Sequence, residues 1–124
     1  AVLAARTVGY STGPSGTYLS QLFERWEISA LIAPRIVQAP PGVPVAGLVA
    51  NGKVELGFQQ LSELLHVSGI DVLGALPDDI QNTTVFCAAV SAASQKKVAA
   101  RALLEFLADS AGAATKRVHG MEPV

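Results

Sequence analysis

The spacing of apolar positions changes several times along this chain, and each change marks an element. Thr7–Tyr10 is a short apolar run bounded by Ser11, Gly13, Pro14, Ser15 and Gly16, which predicts a buried strand running into a turn. Tyr18, Leu19, Leu22, Phe23 and Trp26 then recur on one helical face, so a helix is predicted over Ser15–Glu27. Arg35–Ala39 is the next predicted strand, closed by Pro40-Pro41-Gly42. Pro44 suits the first turn of a second helix with Val45, Leu48 and Val49 inward, ended by the αL-tolerant pair Asn51-Gly52. Val54–Gln59 reads as a third strand and Leu61–His66 as a short helical segment. Ser68-Gly69 turns the chain into a predicted strand, Asp71–Leu76, and Pro77-Asp78-Asp79 turns it again. Thr84–Val90, β-branched and apolar, is the most strand-like stretch of all. Gln95–Ala108 places Val98, Ala99, Ala102, Leu103, Phe106 and Leu107 on one face behind Ser94 as N-cap, and a last helix, Ala111–Val118, stops at Gly120.

The predicted order is β-α-β-α-β-α-β-β-α-α. Strands alternating with helices give an α/β domain with a mainly parallel, helix-covered sheet. Its 124 residues fit one domain, with no internal repeat. Composition adds a complication. Half the residues are apolar and only 15% are charged, against roughly 25% in a typical globular chain, and the mean hydropathy is +0.39. That predicts a second surface covering some of this apolar area: another domain, a missing part of the same protein, or a homo-dimer partner.

Membrane insertion does not account for it, because no apolar run approaches the roughly 18 residues that span a bilayer. A net charge of −1 argues against nucleic acid as a partner. The lone Cys87 excludes an internal disulfide frame and a cysteine-based zinc site. The first residues, Ala-Val-Leu, carry neither an initiator Met nor a signal peptide, as expected of a processed chain or an excised fragment.

The strongest chemical signal is the strand–turn–helix from Val8 to Thr17. A helix start exposes N–H groups and the positive end of its dipole. Glycines let that backbone approach a ligand, and Ser11, Ser15 and Thr17 add hydroxyls. Such a turn can cradle a carboxylate or other oxyanion. It can equally be an ordinary loop in which Ser15 caps the helix, so both readings stay open at this point. Gln59, Gln60 and Ser62 lie where the third strand ends, and open α/β sheets bind ligands outside the carboxyl ends of their strands. Alone, the two glutamines read as solvent-facing loop residues. Glu55 and Glu63 are possible bases, but nothing in the sequence poises either. His66 reads as a surface residue ending a short helix, His119 lies in a polar tail, and Cys87 reads as an inert thiol inside an apolar strand. Lys96, Lys97, Lys116 and Arg117 read as solvated helix faces, and Trp26 as a core or lobe-interface anchor.

The string Thr7-Val-Gly-Tyr-Ser, continued by Gly13-Pro-Ser-Gly-Thr-Tyr18, resembles the start of the second lobe of periplasmic type II solute-binding proteins. The nearest similarity is to their molybdate-binding branch. Further matches are Val45–Gly57, Gln60–Leu64, Val72–Pro77, Thr84–Val90, Leu103–Leu107 and His119–Pro123. The resemblance implies that residues 1–124 are one lobe of a two-lobed binder, with the first lobe absent and the ligand held in a hinged cleft. It places Ser11 and the amides of Ser15, Gly16 and Thr17 in that cleft, brings Gln59 or Gln60 to the ligand, and sets the helices of 91–124 near the hinge. Thr84–Val90 becomes the strand returning toward that hinge. There molybdate binders carry Tyr followed by Pro, whereas this chain has Phe86-Cys87. Phe86 has no hydroxyl for an oxyanion, which turns attention to a larger organic anion.

The resemblance thus implies the periplasmic binding component of an ABC-type importer, with an ABC permease as partner and a small anion as ligand. No cofactor or metal is called for. Some proteins of this branch resemble aconitate isomerases, which makes an isomerase of unsaturated polycarboxylates the alternative. A third possibility is an assembly module whose exposed apolar face drives self-association.

Overall fold

The computed structural model describes residues 1–123, which divide into two compact units, 1–82 and 83–123. In the first unit, strand β1 (Val8–Ser11) leads into helix α1 (Pro14–Arg25). Short α2 (Ser29–Ile32) and a 3₁₀ turn (Ala33–Arg35) follow, then β2 (Ile36–Ala39), α3 (Val45–Ala50), β3 (Leu56–Gly57) and α4 (Leu61–Leu64). The three strands form one sheet in the order β2-β1-β3. Both pairings are parallel, with Val8 opposite Ile36 on one side and Leu56 on the other. The α/β architecture with a parallel sheet is therefore as the alternation of periods predicts.

Alternation along β1 divides the interior. Val8 and Tyr10 join Leu19, Leu22 and Phe23 of α1, together with Ala5 and Ile32, in one buried cluster. Phe23 is its centre, with ring centroids 6.1 Å from Tyr10 and 6.3 Å from both Trp26 and Phe58. Burying a side chain of this size contributes about 1.5–3 kcal/mol. On the opposite face of β1, Gly9 lies against Val54 and Val45, and a Cβ there would come within 2.8 Å of Val54. Gly57 of β3 meets Val49 and Val45 in the same way. The two glycines let α3 settle closely on the sheet, so helices cover both faces.

Two polar links fix the margins of this unit. Arg35 donates from its guanidinium to the carbonyls of Leu3 (2.9 Å) and Ala5 (2.6 Å), holding the first residues in place. The Tyr18 hydroxyl donates to the Ile80 carbonyl at 2.7 Å, while Leu76 and Ile80 pack on the main cluster. Helices α1 and α3 end alike. Ile28 N–H reaches back to Phe23 O and Lys53 N–H to Leu48 O, the long bond of a Schellman motif. At α3 the left-handed residue is Gly52, but at α1 it is Glu27, with φ +57°.

The second unit holds α5 (Lys97–Ala108), a 3₁₀ turn (Ser110–Gly112) capped by Asp109, and α6 (Ala113–Val118), ended by Gly120 at φ +73°. None of its described residues is buried.

Several expectations are corrected. Thr84–Val90 and Asp71–Leu76 are not strands. A β-branched apolar run becomes a strand only beside another that supplies hydrogen bonds, and neither segment has such a neighbour among the described residues. Cys87 is consequently exposed rather than buried. Ser94 is not the N-cap of α5; Lys96 occupies that position, and the Ser94 hydroxyl accepts from the Lys96 amide in the preceding turn. The third strand spans only Leu56–Gly57 within the predicted Val54–Gln59.

Candidate functional site

The chain runs from β1 to β2 on one side and returns to β3 on the other. The C-terminal ends of β1 and β3 therefore flank the point where the strand order reverses. In parallel α/β sheets the loops that leave such a point in opposite directions open a crevice, the usual ligand position. Two of the sequence candidates lie at that end of the sheet. Ser11 is the last residue of β1, and Gln59 follows β3 by two residues. The bond from Phe58 N–H to Gly9 O, 2.8 Å, continues the ladder in that direction.

On the β1 side, the Ser11 hydroxyl accepts from Gly13 N–H at 3.3 Å and lies 3.3 Å from the Ser15 hydroxyl. Gly13 is the N-cap of α1 and offers no side-chain cap, so Ser15 is not the capping residue. Thr17 N–H donates to Gly13 O at 3.0 Å and closes the first helical turn, and its hydroxyl leans on the same carbonyl at 3.3 Å. The expectation that the Thr17 amide serves a ligand is thus corrected, because the helix already uses it. The amides of Ser15 and Gly16 precede that first bond, and among the described residues neither has an acceptor. A Cβ on Gly16 would overlap the Ser11 carbonyl, so only glycine lets the helix start this close to the strand end. The result is two backbone donors and two hydroxyls at the positive end of a twelve-residue helix.

On the β3 side, the Gln59 side-chain oxygen accepts from Ala46 N–H at 2.8 Å. Helix α3 has Pro44 as N-cap, a residue with no acceptor side chain, so its first turn is completed from β3 instead. The sequence carries a signal for this bond: a proline at a helix start leaves first-turn amides that something else must satisfy. Gln60 is the N-cap of α4, and its side chain makes no cap bond. Phe86 lies in the second unit and is 68% exposed.

The possible bases separate. Glu63 is exposed in the first turn of α4, after the C-terminal end of β3. Glu55 precedes β3, at the opposite end of the sheet. There its carboxylate accepts from Arg6 N–H at 2.6 Å and from the guanidinium at 3.2 Å. The Arg6 amide, and then its side chain, hold the Glu55 carboxyl below its ordinary range. Glu55 therefore belongs to an exposed ion pair, away from the crevice. No group of three or more His, Cys, Asp or Glu suited to a metal occurs among the described residues. No helix among them is long and apolar enough to cross a membrane.

Comparison with known proteins gives the chain a family. The sequence model of the bacterial extracellular solute-binding proteins matches residues 3–122. An aconitate isomerase from Pseudomonas sp is 43% identical over 123 residues, covering 97% of this chain and 46% of that protein. The chain thus spans about half the length of this curated relative. No solved structure matches. A match over nearly the whole chain, which folds around a parallel α/β sheet, makes this chain a member of the bacterial extracellular solute-binding protein family.

Proposed function

We propose that the chain is the C-terminal lobe of a two-lobed periplasmic solute-binding protein, and that it receives a small organic anion at the ends of β1 and β3. The observation that carries this reading is the open first turn of α1, with the Ser15 and Gly16 amides and the Ser11 and Ser15 hydroxyls around it. Each aligned N–H bond to a charged acceptor contributes about 1.5–3 kcal/mol, which outweighs the helix dipole at about 0.3–1 kcal/mol. A carboxylate is favoured over molybdate because the relative is named for aconitate, an unsaturated tricarboxylate. The other lobe closes the crevice and excludes water, and an ABC permease receives the solute. Titration calorimetry of the complete protein with trans-aconitate, citrate and molybdate tests this. Saturable heat with the carboxylates is expected, and silence toward every anion contradicts the reading.

A second reading has its own support in the 43% identity to an aconitate isomerase. Here a base, Glu63 or a residue of the other lobe, takes a proton from the methylene carbon next to the double bond. A proton is returned to the far carbon of that bond, so the double bond migrates. Incubating the complete protein with cis-aconitate and separating the products by chromatography decides the matter. Appearance of the trans isomer makes the protein an enzyme, and its absence leaves the binder alone.

A further inference from the structure

We infer that Gln59 is a specificity-determining residue whose carboxamide is locked as a donor, so that it takes an acceptor oxygen of the ligand, such as a carboxylate oxygen. The inference rests on the binding reading above and assigns the selectivity of that site. A glutamine side chain can ordinarily turn over and present either its oxygen or its NH₂ group. Here it cannot. Its oxygen faces the Ala46 amide at 2.8 Å, and a backbone N–H can only donate. Turning the carboxamide over would set two donors against each other and leave a half-buried amide of α3 unsatisfied.

The Gln59 NH₂ group is therefore directed away from α3, and among the described residues it donates to nothing. Gln59 follows the C-terminal end of β3, which pairs with β1, and the C-terminal end of β1 at Ser11 leads to the amides of Ser15 and Gly16. The donors on both sides of the crevice are thus of one kind. A ligand group that offers only protons at this position, such as an ammonium, would meet donor against donor, and sites built this way reject the mismatched group strongly. Gln60 has no such restraint, because its side chain makes no cap bond; it is free to turn and carries no comparable selectivity.

Gln59→Glu separates this role from a structural one. The substituted carboxylate still accepts from Ala46 N–H, and its charge suits the start of α3, so the melting temperature of the complete protein is expected to hold or rise. Its second oxygen, however, turns toward the anion. Affinity for trans-aconitate by calorimetry is expected to fall at least tenfold. Gln59→Leu loses both the acceptor and the donor, and is expected to lower melting temperature and affinity together. Gln60→Glu is expected to change affinity less than threefold. If wild-type protein binds trans-aconitate and Gln59→Glu binds it equally well, the inference about Gln59 is wrong while the binding reading stands. If wild-type protein binds neither this nor the other anions tested, the binding reading fails, and the inference with it.

Discussion

Helices α1 and α5 are both twelve residues long and carry apolar residues on one face, yet they meet different fates. Leu22 and Phe23 of α1 are each 2% exposed against β1. On α5, Val98 is 84% exposed and Phe106 70%. The period of a helix says which side wants cover, but it does not say that cover is there. The first unit supplies its own cover because its strands bring partners into register within about fifty residues. The described residues of the second unit include no strand. Its apolar residues therefore stay exposed, Leu103 and Leu107 of α5 among them.

The contrast is broken or sharpened most strongly by truncating one aromatic ring in each unit. Phe23→Ala is expected to cost about 3–5 kcal/mol, and Phe106→Ala in the same chain no more than about 0.5 kcal/mol, both by urea denaturation. Equal costs would mean that α5 is packed after all. Gly16→Ala comes next. Its Cβ collides with a carbonyl rather than a flexible side chain, so a loss of about 3 kcal/mol is expected. Gly112→Ala, in the second unit, meets nothing closer than the end of Lys116 at 3.9 Å and serves as the comparison.

Helix endings give a smaller effect of opposite sign. α6 already ends on Gly120, whereas α1 ends on Glu27 at φ +57°. Glu27→Gly removes the left-handed strain and is expected to stabilise the first unit by about 1 kcal/mol. The smallest effect concerns Glu55. Its folded carboxyl titrates below the ordinary value, so its contribution is present above that ordinary value and is lost as pH falls through the lowered one. Because the Arg6–Glu55 pair is exposed, Glu55→Gln is expected only to shallow the acid limb of the stability curve, and added salt to mask the difference.

Legibility in the sequence follows the same division. Up to Leu64, each predicted strand or helix has an element close in sequence to pack on, and the boundaries of β1, α1 and β2 fall within two residues of those predicted. Thr84–Val90 has strand composition but no neighbouring strand, and pairing is a property of two segments rather than one. At the site, Ser11 and the glycine turn were readable because turn chemistry is local. The fate of the Thr17 amide follows from counting helical bonds from the N-cap, which Gly13 rather than Ser15 provides. The bond from Ala46 to Gln59 joins residues thirteen apart, and only the proline before α3 hinted that an acceptor was needed.

The central claim is that negative charge settles on the unclaimed amides at the start of α1. Following the backbone amide resonances of the ¹⁵N-labelled complete protein during titration with trans-aconitate tests it most directly. Saturable shifts at Ser15 and Gly16 are expected, sharing one dissociation constant, while Arg6 and Glu55 at the far end of the sheet stay still. Saturation in which Ser15 and Gly16 do not move would contradict the account.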